Sequence, residues 1–283
     1  MERQTFTNVK DLKNVKNNRV IFEDGNGDSF SMVGSRISFV GEGNVLFVEK
    51  GVKLVNSSIV FNASNSIIYL SSSKYEYYIS IITYNNSVFF IGKDCFTNKT
   101  PEYFKCILSE QKNVIIGKNC FFSLDVWIRL ADPHLIFDAT TNKRINYSKS
   151  VYIGDGVWIG QHVFLLKGAV IGSGSIIGAL SSVSKRIPSN CVAAGSPAKV
   201  LKENIFWTGH CAHEFVDEDT EKLSSFDSDF RKFSPPENNT FIEGIETYFS
   251  NTKDVDKKLD FIKENLVKVN DKNRFAIKNQ NKA

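Results

Sequence analysis

The chain has 283 residues, 42% hydrophobic and 23% charged, enough apolar material for one large core or two modest ones, which excludes wholesale disorder. Thirty-five Lys and Arg against thirty-one Asp and Glu leave a net charge of +4, too small for a protein whose main partner is a nucleic-acid backbone. The charge is uneven: from Thr208 onward twelve basic and fifteen acidic residues give −3, leaving +7 on the first 207 residues, a bias that suits an anionic small molecule.

The opening MERQTFTNVKDLKNVKNN carries charges where an export signal would need its apolar stretch, and no later run approaches the roughly 18 apolar residues of a membrane span. A cytoplasmic protein with no membrane span is the expectation. Residues 1–30 show little periodicity and read as an N-terminal cap or irregular segment. From about residue 31 strand-like alternation sets in, as in ISFVGEGNVLFVEKGVKLV, and a shorter unit follows as IGKDCF from Ile91 and IGKNCF from Ile116, running on through Phe122 and Ile128. The next aliphatic of this kind, Ile153, stands 25 positions later. That is not a multiple of six, so a loop of about twenty residues, 129–149, is inserted.

After the insertion, Ile153, Ile159, Leu165, Ile171, Ile177 and Val183 recur every six positions, each preceded two places earlier by Val151, Val157, Val163, Ala169, Ser175 or Ser181. A spacing of two puts both members of each pair on one face of a strand. Gly154, Gly160, Gly172 and Gly178 follow the aliphatics where the chain must bend. A six-residue strand and bend cannot bury its own face; stacking such units gives the inward pairs one continuous core. The period therefore predicts an all-β parallel β-helix over residues 31–206. Its hand does not follow from the period, since most parallel crossovers are right-handed.

Beyond Trp207 the sixes stop. Residues 214–229 hold seven acidic groups against one Lys, a solvated linker. Phe241, Ile242, Ile245, Tyr248 and Phe249, then Val255, Leu259, Ile262, Leu266 and Val269, fall at helical spacing, so residues 207–283 read as an acidic linker and a C-terminal helical extension docked on the β-helix. Cys95, Cys106, Cys120, Cys191 and Cys211 are odd in number and without paired spacing, which predicts free thiols. The group His210, Cys211 and His213 lacks a fourth ligand for zinc, and no metal is expected.

The run VYIGDGVWIGQHVFLLKGAVIGSGSIIGALSSVSKRIPSNCVAAGSPAKVLKEN resembles the hexapeptide-repeat acetyltransferases over residues 114–204, in its unbroken sixes, its VWIG coil and its terminal AAGSPAK. Within that family, a long loop carrying one His followed by VWIG is most similar to bacterial O-acetyltransferases of sugars, including those acting on capsular polysaccharide. The resemblance implies a left-handed β-helix, acetyl-CoA as acetyl donor, a homotrimer, and a carbohydrate acceptor. It also implies His134 of the inserted loop as general base at a boundary between two subunits. An imidazole suits that proton transfer. Direct transfer without an acyl-enzyme is expected because Cys95 and Cys120 fall on inward core positions of their sixes. Trp158 points outward between inward Val157 and Ile159, and by resemblance lines the acetyl and acceptor site. Gly160 or Gln161 would offer a backbone N–H to the oxyanion. Ala179, Ser184, Lys185, Lys199 and Lys202 match coenzyme A-contacting positions, small along the pantetheine and cationic near the phosphates. The residues that place the sugar in galactoside enzymes have no clear counterpart here. Two other readings carry different expectations: N-acetylation of an amino sugar or acetylation of a small antibiotic, and a trimeric scaffold that has lost its site.

Overall fold

The computed structural model describes residues 2–99, 104–269 and 271–279. The chain winds as a triangular prism, visiting a second, a third and a first face in turn. The first face is an eight-stranded sheet running from Gln4–Phe6 and Arg36–Phe39 to Phe164–Leu166 and Ser182–Val183; the second is an eight-stranded sheet from Arg19–Phe22 to Arg186–Ile187. The third face is built from Phe96–Thr97, Phe121–Phe122, Trp158–Ile159, Ile176–Ile177, Val192–Gly195 and Ala198–Lys202, with Ser31–Val33 and Lys53–Val55 pairing separately in the early coils.

The register carries the expected period. Ile153 pairs with Ile171, Ile159 with Ile177 and Leu165 with Val183, each 18 residues apart, three sixes per coil. The six aliphatics and the residues two before them are all buried. At the two ends, Gln4–Phe6 and Ala198–Lys202 pair antiparallel to their neighbours, which covers sheet edges that would otherwise template further pairing.

Stacking begins well before residue 31. Arg19–Phe22 pairs in parallel with Val45–Val48, and Leu12, in the 3-10 turn Val9–Asn14, is fully buried against the core. The sixes are absent here because corners differ in length: Val45 pairs with Ile67, 22 residues on, and Phe89 with Val114, 25 residues on. Alternation inside each strand survives while the period between coils does not.

Four cysteines are buried and one, Cys211, is exposed, all as free thiols. The Cys95 thiol donates to Gly117 O at 3.2 Å and the Cys120 thiol to Gly154 O at 3.1 Å. Burial pushes the thiols of Cys95 and Cys106 up, away from thiolate chemistry.

Three short helices follow the coil: α1 (Asp217–Lys222), α2 (Phe241–Asn251) and α3 (Val255–Phe261), the last continuing into a wider turn over Ile262–Val267. Ile242, Ile245 and Phe249 of α2, Leu259 of α3, then Ile262, Leu266 and Phe275, pack on Phe47, Tyr69, Phe90, Ile115 and Tyr152, which point outward from the second face. This second core explains why second-face strands such as VLFV, IIYL and VFFI are buried at every position. Asp254 caps α3 by accepting from Asp256 N and Lys257 N. No helix among the described residues is long and apolar enough to cross a membrane.

Candidate active site

The inserted loop leaves the edge between the first and second faces. Arg129 pairs with Leu166, 37 residues on, against 18 in the next coil, so nineteen extra residues form it. They fold as a hairpin: Asp138 N donates to Lys143 O at 2.9 Å and Ile145 N to Ile136 O at 3.0 Å, and the Asp138 carboxylate closes the tip by accepting from Thr140 N and Thr141 N. Asn146 is buried inside the hairpin, where its amide donates to His134 O at 2.7 Å and accepts from Ile136 N at 2.9 Å. Glu110, on the coil above, accepts from Arg144 Nη2 at 2.9 Å and from Ser148 N at 3.1 Å. Those donors hold its carboxyl down to about 2. Asp132 makes an ion pair with Lys167.

The backbone of His134 is thus fixed, while its side chain is exposed with no intramolecular partner among the described residues. Its sequence neighbours Asp132, Pro133 and Leu135 line a cavity of 510 Å³ together with Tyr84, Ile107 and Arg129, and His134 itself is not part of that lining. Leu135, Phe137, Ile145 and Tyr147 are all more than half exposed, an apolar arm that its own chain does not cover.

Trp158 occupies the third face, 38% exposed. Its indole N–H reaches Ser123 Oγ at 3.3 Å, toward the edge between third and first faces, and its ring lies 5.7 Å from Trp207. Trp207 is held by its own N–H to Gly156 O at 2.8 Å and by the Arg231 guanidinium 3.6 Å over its ring. Gly160 N–H is committed to Ile177 O at 2.8 Å, and a Cβ there would meet Ala179 N at 2.7 Å; this glycine serves the close stacking of coils. The N–H of Gln161 has no protein acceptor among the described residues, so of the two donors it is the one left for an oxyanion.

Ala179 is exposed at the same third–first edge as Gln161. Ser184 and Lys185 are exposed on the opposite side, at the first–second edge from which the His134 loop emerges, and Lys199 and Lys202 are exposed on the antiparallel end strand of the third face. The nine sequence-predicted residues therefore fall into separate groups. In a triangular section the first–second edge faces away from the third face, so one chain does not bring His134 to Trp158. Asn146 and Glu110, which hold the loop, escaped the sequence reading: neither lies at a repeat position, and Glu110 precedes His134 by a whole strand. Among the described residues no group of three or more His, Cys, Asp or Glu gathers as a metal site, His210, Cys211 and His213 included.

The stacked sixes have their counterpart in the hexapeptide bacterial transferase family, described by six repeats, whose model matches residues 150–185. The crystal structure of the polySia-specific acetyltransferase NeuO is similar with a TM-score of 0.57 and 30% identity, over 74% of this chain and 96% of that one. The chain belongs to the hexapeptide-repeat acyltransferases. The polysialic acid O-acetyltransferase of Escherichia coli O1:K1 / APEC is 40% identical over 120 residues, and the match spans 42% of this chain and 39% of that relative. The polysialic acid O-acetyltransferase OatWY is also similar, at 23% identity and a TM-score of 0.43, over 74% of this chain and 98% of that one.

Proposed function

We propose that this chain is an acetyl-CoA-dependent O-acetyltransferase acting on a carbohydrate hydroxyl of a bacterial capsular or surface polysaccharide, in the cytoplasm and as a homotrimer. The observation that carries the proposal is the loop imidazole: His134 has a backbone pinned by Asn146 and an exposed side chain without a partner among the described residues, on a loop whose neighbouring residues line a cavity large enough for a sugar. Free-standing imidazole on a rigid support is what a general base for a hydroxyl needs. The relatives named above act on polysialic acid, which supports an acidic glycan as acceptor.

In this reading the acceptor hydroxyl gives its proton to His134 as its oxygen attacks the thioester carbon. The oxyanion is met by the N–H of Gln161, and the carbon–sulfur bond then breaks. Trp158 walls the acetyl group. Ala179 leaves room for the pantetheine and Lys199 and Lys202 supply cationic contacts to the coenzyme's phosphates, while Ser184 and Lys185, on the same edge as the His134 loop, would reach the coenzyme from the neighbouring copy that supplies His134. Because His134 and Trp158 belong to different sides of one prism, a neighbouring copy completes each site, with the apolar arm of one chain laid against the third–first edge of the next.

His134→Ala is expected to lose at least about a thousandfold in kcat while acetyl-CoA still raises the melting temperature as in the wild type. Near-normal turnover by that variant removes His134 as the base, and the absence of any acetyl-CoA stabilisation of the wild type at millimolar ligand removes the enzyme reading in favour of a scaffold.

A further inference from the structure

A second imidazole stands at the third–first edge. His162 occupies a corner with φ of 55°, directly after Gln161, and its Nδ1 lies 3.1 Å from Asp125 Oδ2 on the coil above. Asp125 is itself fixed: its Oδ1 accepts from the Trp127 indole at 2.7 Å and lies 3.8 Å from Lys105 Nζ. Those contacts hold the Asp125 carboxyl below its usual range, against a partial burial that opposes them. On the other side of the ring, Nε2 is 3.1 Å from Gln161 Nε2, an amide nitrogen that donates to it in this arrangement; when the ring carries its second proton, the exposed Gln161 amide turns its oxygen toward Nε2 or swings aside. The side chain is 37% exposed, so a ligand at this edge reaches it. A carboxylate held by two further groups and a partly exposed imidazole aimed by that carboxylate, with only the exposed Gln161 side chain on its far nitrogen, form an oriented acid–base pair. Packing alone does not call for it, since Asn or Asp fills ten of the fourteen non-glycine positions with positive φ.

We propose that His162, oriented by Asp125, is a catalytic acid on the coenzyme side of the transfer and protonates the departing sulfur. The inference rests on the acetyl-transfer reading above. The carbon–oxygen bond forms as the acceptor proton passes to His134; the carbon–sulfur bond breaks and its electron pair takes the proton held on His162 Nε2. The Asp125 carboxylate at Nδ1 stabilises the charged ring before that step. Solvent then returns a proton to His162 and removes one from His134, so no net charge accumulates. Two imidazoles at one site follow from the geometry: His162 shares its edge with Gln161 and Ser123, the partner of Trp158, whereas His134 comes from the opposite edge and hence from a neighbouring chain.

The test uses His162→Asn, because Asn already sits at eight of those positive-φ positions and preserves the corner. Steady-state rates are measured with acetyl-CoA and with the acetyl ester of an aromatic thiol, whose acidic sulfur leaves without protonation. His162→Asn is expected to lower kcat with acetyl-CoA by about a hundredfold, leaving its KM within about twofold, and to lower the aryl thioester rate by less than about fivefold. Asp125→Asn is expected to follow the same pattern more weakly. An unchanged kcat, a raised KM alone, or an equal loss with both donors overturns the proposal. His134→Ala, run in parallel, should lose both donors equally; if it keeps its rate, the base assignment fails and the His162 result still stands. Acetyl-CoA hydrolysis provides the same comparison where no glycan accepts acetyl, and a wild type inert with both acceptors overturns both readings.

Discussion

Asn146 shows what a single side chain does for this site. It is buried and spends its amide on His134 O and Ile136 N, so Asn146→Ala frees the segment that carries the imidazole. The variant should fold with a nearly unchanged melting temperature and lose about tenfold in kcat, with the KM for acetyl-CoA unaltered; steady-state kinetics with unfolding as a control measure this. Lys258 illustrates the opposite case, a charge the fold tolerates. Its ammonium is buried, donates to Asn86 O at 2.8 Å, and is pulled from the usual 10.5 down to about 8 because burial disfavours the cation. Between those two values the unfolded chain binds more protons than the folded one, so this group makes stability rise with pH across that window and levies its full cost below about 8. Lys258→Met should therefore be more stable than the wild type at pH 7, by on the order of 1 kcal/mol after the lost hydrogen bond, with the advantage shrinking by pH 10. Denaturant melts at the two pH values decide it. The outward place of Trp158 was legible in the strict repeat and the loop carrying His134 in the break of that repeat, while the roles proposed for both rest on the family resemblance. Asn146 was not, since nothing in a loop sequence says which amide faces inward.

At the level of elements, two attachments to the prism matter. Glu110 ties both Arg144 and Ser148 of the hairpin to the coil above, so Glu110→Gln should leave the β-helix intact and expose the loop. Limited proteolysis at neutral pH should cut between residues 135 and 147 about ten times faster than in the wild type, with the rest of the chain resistant. The second attachment is the helical extension. Phe249 and Leu259 close a core against the outer side of the second face, and Phe249→Ala should cost about 3 kcal/mol in a single cooperative unfolding transition; an unchanged midpoint would mean that α2 is loosely attached. The sixes between Ile153 and Val183 could be read because every corner there has the same length. The coils before residue 91 hid their period behind unequal corners. A signal for the docked helices was present all the same: VLFV, IIYL and VFFI are apolar at both parities, and a strand with one solvent-facing side alternates instead.

On the scale of the whole molecule, the prism separates the residues that the proposed chemistry would join. The loop and its imidazole leave one edge, the indole of Trp158 and the free N–H of Gln161 lie toward another, and an apolar arm of Leu135, Phe137, Ile145 and Tyr147 projects without cover. The proposed cyclic trimer would satisfy all three observations at once, each copy lending its arm to the next to close three equivalent sites. The most direct test co-expresses His134→Ala with Trp158→Ala, each expected to be inactive alone, and measures acetyl transfer by the mixed assembly. If the two residues act across a boundary, random assembly gives a competent pair at about one site in four, and about a quarter of wild-type activity returns. Activity no higher than that of either variant alone would contradict a site shared between chains.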